Sequence, residues 1–310
     1  MLNWKGFICG IVTSATFGLI PLFTLPLMAA GMNVPSVLSY RFFISMLMMG
    51  AFLFVMRRSF RVTRREAAAL AGLSLLYTGS AVFLFWSYHY LASGIATTMM
   101  FLYPVFVALI MIVFFKEKNS FWTMSAIVLA VSGVAMLSWN GEAGGVSFTG
   151  ILLAVLSGLS YGIYIVSVNK SCVRDMASAK LTFYVFLFTG LFMLAGAYAM
   201  GDLQRIPTWR CDLNLTLLAL IPTVVSNLTL VAAIKSIGST FSAVLGAMEP
   251  VTAMTVGVWV FGEPFTRMTA KIISATLVVL APALEKGYRL GKLFYITKVK
   301  GIHPDIMPYH

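Results

Sequence analysis

The stretch Phe101-Leu102-Tyr103-Pro104-Val105, which opens an apolar run ending at Phe115-Lys116-Glu117, has a counterpart in the second half of the chain. There, Ala247-Met248-Glu249-Pro250-Val251 opens an apolar run that ends at Phe261-Gly262-Glu263. Pro104 and Pro250 are 146 residues apart, and so are Glu117 and Glu263. A motif that recurs with its whole apolar run predicts a chain built from two related halves.

Small residues spaced by four form a second repeated pattern. They are Gly6, Gly10, Ser14 and Gly18, followed 144 residues later by Gly150, Ala154, Gly158 and Gly162. In membranes this spacing lets helix backbones approach closely. We therefore expect both helices to pack near a pseudo-symmetry axis or equivalently against their own halves. Packing is the primary role, and sliding during gating is compatible with it.

The composition indicates a membrane protein. Of 310 residues, 60% are apolar and only 10% are charged, whereas soluble domains carry about 25% charged residues. A net charge of +12 would suggest a nucleic-acid partner for a soluble chain. Here the charges lie in short loops and in the tail, so we expect a lipid bilayer around the protein and no nucleic acid.

Apolar runs of about 20 residues predict ten membrane-spanning helices. Their approximate bounds are 7–29, 37–56, 67–88, 95–115, 121–139, 149–168, 180–199, 213–235, 239–261 and 266–284. The first run exceeds the apolar core of a signal peptide, so it is predicted to stay as the first helix. The halves are predicted at 5–140 and 147–284, followed by a basic cytoplasmic tail at 285–310.

Lysine and arginine are distributed unevenly between alternate loops. With a cytoplasmic N-terminus, segments on that side hold 17 of the 22 basic residues, and those on the opposite side hold 4. Basic residues favour the cytoplasmic side, so both termini are expected there, with the protein in the cell inner (plasma) membrane. Five spans in each half make the halves inverted relative to each other. Such a pair can form two arrangements, each open to one side, which is the basis of alternating access.

These features resemble the drug/metabolite transporter superfamily, specifically its members with two EamA-type repeats, over roughly residues 5–284. The family motif is an apolar helix with proline near its start and a Gly-Glu ending. The first copy runs from Pro104 to Glu117 with Lys116 in place of glycine, and the second runs from Pro250 to Glu263.

The resemblance implies an all-α membrane protein whose ten helices surround a central cavity lined by the fourth and ninth. It implies a secondary active transporter that exports a small metabolite, such as an amino acid or an amphipathic cation. Uptake or exchange by the same fold is the alternative. Arg41, in Ser39-Tyr40-Arg41-Phe42, matches an arginine near the start of the family's second helix, whereas its counterpart near Val185 lacks the charge.

Glu249 is the leading candidate for substrate binding or coupling. It lies about ten residues inside the ninth span, where an ionised side chain is costly and is expected to face a cavity. Pro250 removes a backbone donor, which predicts a kink and a free carbonyl at Gly246. Glu249 could bind a cationic group or carry a coupling proton, and the alternative is a purely structural pairing. The first half has Tyr103 at this place.

Arg41 is the second candidate. It lies about five residues inside its span, a depth from which its long side chain can reach the headgroups. The alternative is a cation at the outer mouth of the cavity, where it could attract a carboxylate.

Four uncharged side chains complete the candidate set: Tyr103, Tyr161, Asn227 and Trp86. Aromatic rings bind cations and stack on flat substrates, but they also form interfacial belts. Tyr103 and Tyr161 lie well inside their spans, where their hydroxyls need a partner that lipid cannot supply. Asn227 can line a pathway or hydrogen-bond a neighbouring helix, as can Thr97 and Thr98.

The sequence supports no other chemistry. The cysteines lack paired spacing, so we expect neither a metal site nor a disulfide, and no cofactor. No phosphate-binding loop is present, so transport needs a gradient or a partner. The expected partners are a small-molecule substrate, the bilayer and protons as a candidate coupling ion. A second copy of the chain, in a homodimer, is a further candidate partner. The alternatives from other classes are a membrane-embedded lipid-modifying enzyme and a non-transporting scaffold. The favoured interpretation is a transporter, and we do not expect the protein to be an enzyme.

Overall fold

The computed structural model describes residues 4–87, 90, 96, 99–116, 147–246 and 248–261, and this part of the chain is helical. The first half contains α1 (Trp4–Phe17), α2 (Ile20–Ala29), α3 (Val34–Val55), α4 (Arg64–Ser87) and α5 (Tyr103–Phe115). The second half contains α6 (Phe148–Lys170), α7 (Ser178–Met200), α8 (Trp209–Ala219), a π-helical segment (Leu220–Val225), α9 (Ser226–Ile237), α10 (Ser239–Leu245) and α11 (Met248–Phe261).

Six helical stretches within the described residues are long and apolar enough to cross a membrane. They are Trp4–Ala29, Val34–Val55, Arg64–Leu84, Phe148–Lys170, Ser178–Met200 and Trp209–Ile237. These match six predicted spans, and the described part of the fourth and ninth predicted spans is also helical. The fifth and tenth predicted spans and the tail lie outside the described residues, so ten spans stay a prediction.

The most extensive helix packing joins one half of the chain to the other. α3 and α4 of the first half pack on α7, and α4 also packs on α6, while α1 packs along α9. One buried core runs through both halves, from Phe42 and Tyr77 to Tyr164 and Phe186. The halves are therefore intertwined, and the centre of the bundle lies between them.

The two patterns of small residues pack across the halves. This differs from the second of the two expected arrangements, in which each packs within its own half. A Cβ on Gly10 of α1 would lie 2.5 Å from the Leu245 side chain at the end of α10. The counterpart of Gly10 in α6 is Ala154, which packs on Met99 just before α5. Because Met99 precedes Leu245 by 146 residues, the two contacts are equivalent.

Pro104 and Pro250 stand in the first turns of helices. Pro104 is at the start of α5, after a turn at residues 101–102, and Pro250 is the third residue of α11, after a turn at Gly246. A helix start tolerates proline because the first backbone N–H groups have no intrahelical acceptor. The predicted kinks are thus breaks that precede each proline. The Gly246 carbonyl is not free, as it accepts the N–H of Glu249 at 2.9 Å.

Two further irregularities interrupt spans that were predicted as continuous. The first span turns at Gly18 and Leu19 before α2 begins with a proline in its first turn. The eighth span contains the π-helical segment, with Pro222 inside it. Both are places where a proline cannot supply a helical N–H.

Candidate functional site

Arg41 of α3 is buried in the bundle, with 7% of its surface exposed. Its Nε donates a hydrogen bond to Thr223 Oγ1 at 2.6 Å, and its Nη2 lies 3.4 Å from the Pro222 carbonyl oxygen. The side chain therefore points into the bundle and not toward the headgroups, where the first of the two interpretations of the sequence placed it. Arg41 joins α3 to the π-helical segment of the eighth span.

The π-helical segment explains how a proline is accommodated there. Pro222 cannot donate to the Leu218 carbonyl, and the Thr223 hydroxyl donates to that oxygen instead, at 2.7 Å. The Ser226 hydroxyl donates to the Pro222 carbonyl at 2.6 Å, and the Ser45 hydroxyl of α3 donates to the Ala219 carbonyl at 3.2 Å. Side chains thus satisfy the carbonyls along the segment, as a membrane interior requires.

Four tyrosines from three helices form a buried aromatic cluster beside Arg41. Tyr77 of α4 lies 5.2 Å from the Tyr164 ring of α6, measured between ring centroids. Tyr103 of α5 meets Tyr161 of α6 edge to face at 5.0 Å, and Tyr161 stacks on Tyr164 at 6.0 Å. These are favourable aromatic geometries, and they bring the predicted pair Tyr103 and Tyr161 together.

Asn227 of α9 connects this aromatic cluster to the π-helical segment. Its Nδ2 donates to the Thr223 carbonyl at 2.9 Å and to the Tyr77 hydroxyl at 3.2 Å. Its Oδ1 is buried and has no hydrogen-bond partner among the described residues. A buried acceptor that stays unpaired costs about 1–3 kcal/mol, so this oxygen is a candidate for a hydrogen bond from a group outside the described residues.

Glu249, the second residue of α11, is half-buried in the same region. Its carboxylate is near enough to Arg41 and to the Tyr103 and Tyr161 phenols for electrostatic interaction. Glu249 keeps part of its surface accessible beside these buried neighbours, and an ionised carboxylate is costly where it faces lipid. A carboxylate, a guanidinium and a cluster of tyrosines therefore lie in one region of the bundle.

Tyr103 also contacts the break in the ninth span directly. A Cβ built on Gly246 would lie 1.6 Å from the Tyr103 hydroxyl oxygen, far inside any allowed contact. Only glycine permits this approach of α5 to the turn that precedes Glu249. The residue that replaces Glu249 in the first half thus packs beside the turn that positions Glu249.

The remaining candidates are distributed differently. Trp86 is 50% exposed near the end of α4, and the described contacts do not bring it into the aromatic cluster. Thr97 and Thr98 lie outside the described residues. Tyr77 and Thr223 were missed in the sequence, although Tyr77 lies mid-span and meets the criterion that singled out Tyr103 and Tyr161. Within the described residues, no three His, Cys, Asp or Glu side chains are grouped as metal ligands.

Comparison with known proteins gives a family match and a similar fold. The family model for the EamA-like transporter family matches residues 4–139 and, a second time, residues 148–284. One solved crystal structure aligns with a TM-score of 0.74 over 89% of this chain and 96% of its own, at 14% identity. At that identity the likeness concerns the fold alone. No curated protein matches the sequence.

Proposed function

The chain belongs to the EamA-like transporter family, and from this premise we propose that it is a secondary active transporter that exports a small metabolite by alternating access. The substrate is an amino acid or an amphipathic, cationic compound. The observation that carries this proposal is the convergence of Arg41, Glu249 and the buried tyrosines between the two halves. Proteins that carry a small molecule across a bilayer need such a polar site remote from lipid.

The two charges suit complementary parts of a substrate. Arginine has five N–H donors, and Arg41 uses two of them on Thr223 and Pro222. The others can bind a carboxylate, with the guanidinium already oriented by its anchors. Glu249 can bind an ammonium group, and the faces of Tyr103 and Tyr161 supply cation–π and stacking contacts. Asn227 Oδ1, which has no partner among the residues that the structure describes, supplies one more acceptor.

Glu249 is also the group that can couple transport to protons. A protonated carboxyl is far cheaper to hold in the membrane interior than an ionised one. When substrate leaves, proton uptake by Glu249 lets the empty site close and reorient. Both termini lie in the cytoplasm in this proposal, and the protein resides in the inner (plasma) membrane.

Counterflow in proteoliposomes tests the site. A panel of amino acids and amphipathic cations, measured with and without an imposed pH gradient, identifies the substrate class and the coupling together. For Glu249→Gln we expect at least a ten-fold lower rate of gradient-driven transport, because the amide carries neither the charge nor the proton. The protein should still fold and insert, since the amide keeps the shape of the side chain.

The matched control is Asp212→Asn, which changes an exposed carboxylate of α8 to its amide. Its transport rate should equal that of the unmodified protein. Equal rates for Glu249→Gln and the unmodified protein would remove Glu249 from the site. The direction of the gradient-driven flux separates export from the alternative, uptake or exchange by the same fold.

A further inference from the structure

An apolar groove runs down the outside of the bundle between α5 and α6. Its volume is about 570 Å³, and its walls include Ile110, Phe114, Leu159 and Ile163. Phe114 is 75% exposed, so the groove opens outward and is separate from the central site. Both helices run toward the same end, where the groove meets Lys170 and Ser171.

The open end of the groove is basic. The Lys170 ammonium is exposed and lies 4.9 Å from the centre of the Phe115 ring, which lines the groove. Lys116 follows Phe115 in a left-handed conformation that ends α5, and it is exposed as well. Two cations therefore flank the mouth of an apolar slot, an arrangement that fits a ligand with an anionic head and an apolar tail.

The length of the groove fits one leaflet of a membrane. Leu159 and Lys170 are eleven residues apart on one helix, which corresponds to about 16 Å along its axis. Half of the hydrocarbon core of a bilayer is about 15 Å thick. A chain that starts at Lys170 and follows the groove to Leu159 would thus reach the bilayer midplane, as an acyl chain does.

In the predicted topology, the basic end lies on the side of the membrane that is richest in Lys and Arg. The exposed residues Arg57 and Arg58 belong to the loop on that side, and the exposed Arg64 begins α4 next to it. The inner leaflet is the one that carries anionic lipids, and basic pockets between helices on this side bind lipid headgroups.

We propose that the groove between α5 and α6 binds one anionic phospholipid of the inner leaflet. Its phosphate lies between Lys170 and Lys116, and one acyl chain lies along Ile110, Leu159 and Ile163. The lipid fills the apolar slot and so holds α5 against α6. This site is independent of the transported substrate and would exist even if the central site had another role.

Native mass spectrometry of the purified full chain tests the proposal. Phosphatidylglycerol and phosphatidylcholine with identical acyl chains are titrated against the unmodified protein and Lys170→Gln. We expect phosphatidylglycerol to bind more tightly than phosphatidylcholine. Loss of one interfacial cation should weaken the binding of phosphatidylglycerol about five-fold and weaken that of phosphatidylcholine less, because its choline cation offsets the charge of its phosphate. Equal binding of the two lipids, or no effect of Lys170→Gln, would overturn the proposal.

Three controls assign the source and the place of binding. Arg58→Gln removes an exposed cation on the same side but outside the groove, and it should not change the affinity. Ile163→Phe fills the groove and should weaken the binding of both lipids. If the Ile163→Phe variant does not fold, Phe114→Ala, which removes an exposed wall of the groove, replaces it in the test. Glycerol phosphate at millimolar concentration should not displace the lipid, whereas displacement by this soluble anion would refute an acyl-chain site.

Discussion

Arg41 is held by hydrogen bonds to the Thr223 hydroxyl and the Pro222 carbonyl, which lie at the irregular turn around Pro222. The proline prevents a regular helical turn, so the Thr223 hydroxyl donates a hydrogen bond to the Leu218 carbonyl. The Thr223 hydroxyl oxygen in turn accepts a hydrogen bond from Arg41 Nε. A charge that would be costly alone in a membrane is thus held by a polar irregularity in a neighbouring helix. The irregularity and the arginine stabilise each other, because each supplies hydrogen-bond partners that the other lacks.

Thr223→Val tests this mutual dependence. Valine keeps the shape of the side chain but leaves both the Leu218 carbonyl and Arg41 Nε without their partner. We expect a loss of about 1 kcal/mol of stability, in line with hydrogen bonds inside membrane proteins, and slower transport because Arg41 loses its orientation. Thermal unfolding in detergent and counterflow measure the two effects.

Thr255→Val is the matched control for that experiment. Thr255 is exposed on α11, and among the described residues its hydroxyl donates to the Val251 carbonyl of its own helix, at 2.7 Å. Its loss should leave both readouts near those of the unmodified protein. If Thr223→Val behaved in the same way, the π-helical segment would have no part in holding Arg41.

At the scale of helices, the break before α11 and the packing of α5 form one feature. Tyr103 approaches Gly246 so closely that the turn between α10 and α11 is shaped by a residue of the other half. Glu249 follows that turn by three residues, and its N–H closes it on the Gly246 carbonyl. The location of the carboxylate therefore depends on a contact between the halves.

Gly246→Ala is predicted to displace this contact. The added Cβ would collide with the Tyr103 hydroxyl, so α5 must move away or the turn must distort. We expect lower thermal stability, by about 1–3 kcal/mol as for other overpacked sites, together with slower transport. Tyr103→Phe in the same chain removes the closest atom and should restore part of the stability.

The restoration can only be partial, because the added Cβ would still lie 2.9 Å from Tyr103 Cζ. Gly72→Ala, at a position with no atom in the way of a Cβ, is the control and should not destabilise the protein. Additive losses in the double variant, measured as a double-mutant cycle of thermal stability, would show that Tyr103 and Gly246 do not act through their contact.

The sequence predicted the long helices well, because runs of apolar residues report the need to cross hydrocarbon. It also predicted that Tyr103, Tyr161 and Asn227 lie in the interior, since polar groups at mid-span need partners. It did not predict that Pro104 and Pro250 begin helices, because a proline in an apolar run is equally compatible with a kink. The anchoring of Arg41 on Thr223 depends on the π-helical register, which no local pattern reports.

At the scale of the whole molecule, the pairing of helices across the halves limits how the protein can open. α3 and α4 are packed on α6 and α7, and α1 is packed on α9, so the sequence halves cannot separate as two rigid bodies. In the proposed transport cycle, opening a central cavity would therefore move groups that each contain helices from both halves. The Arg41 contact with the π-helical segment then joins α3 to the eighth span at the centre.

The predicted inversion of the halves makes a direct prediction about sidedness. With five spans in each half and a cytoplasmic N-terminus, the loop containing Ser59 lies inside and Ser147, just before α6, lies outside. In a chain whose native Cys9, Cys172 and Cys211 are replaced by serine, Ser147→Cys should react with an impermeant maleimide applied to intact cells. Ser59→Cys should react only after the membrane is opened, because its loop faces the cytoplasm. Labelling of both positions from the same side would contradict the inversion. Labelling of Ser59→Cys from outside and of Ser147→Cys only from inside would keep the inversion but require both termini to be external.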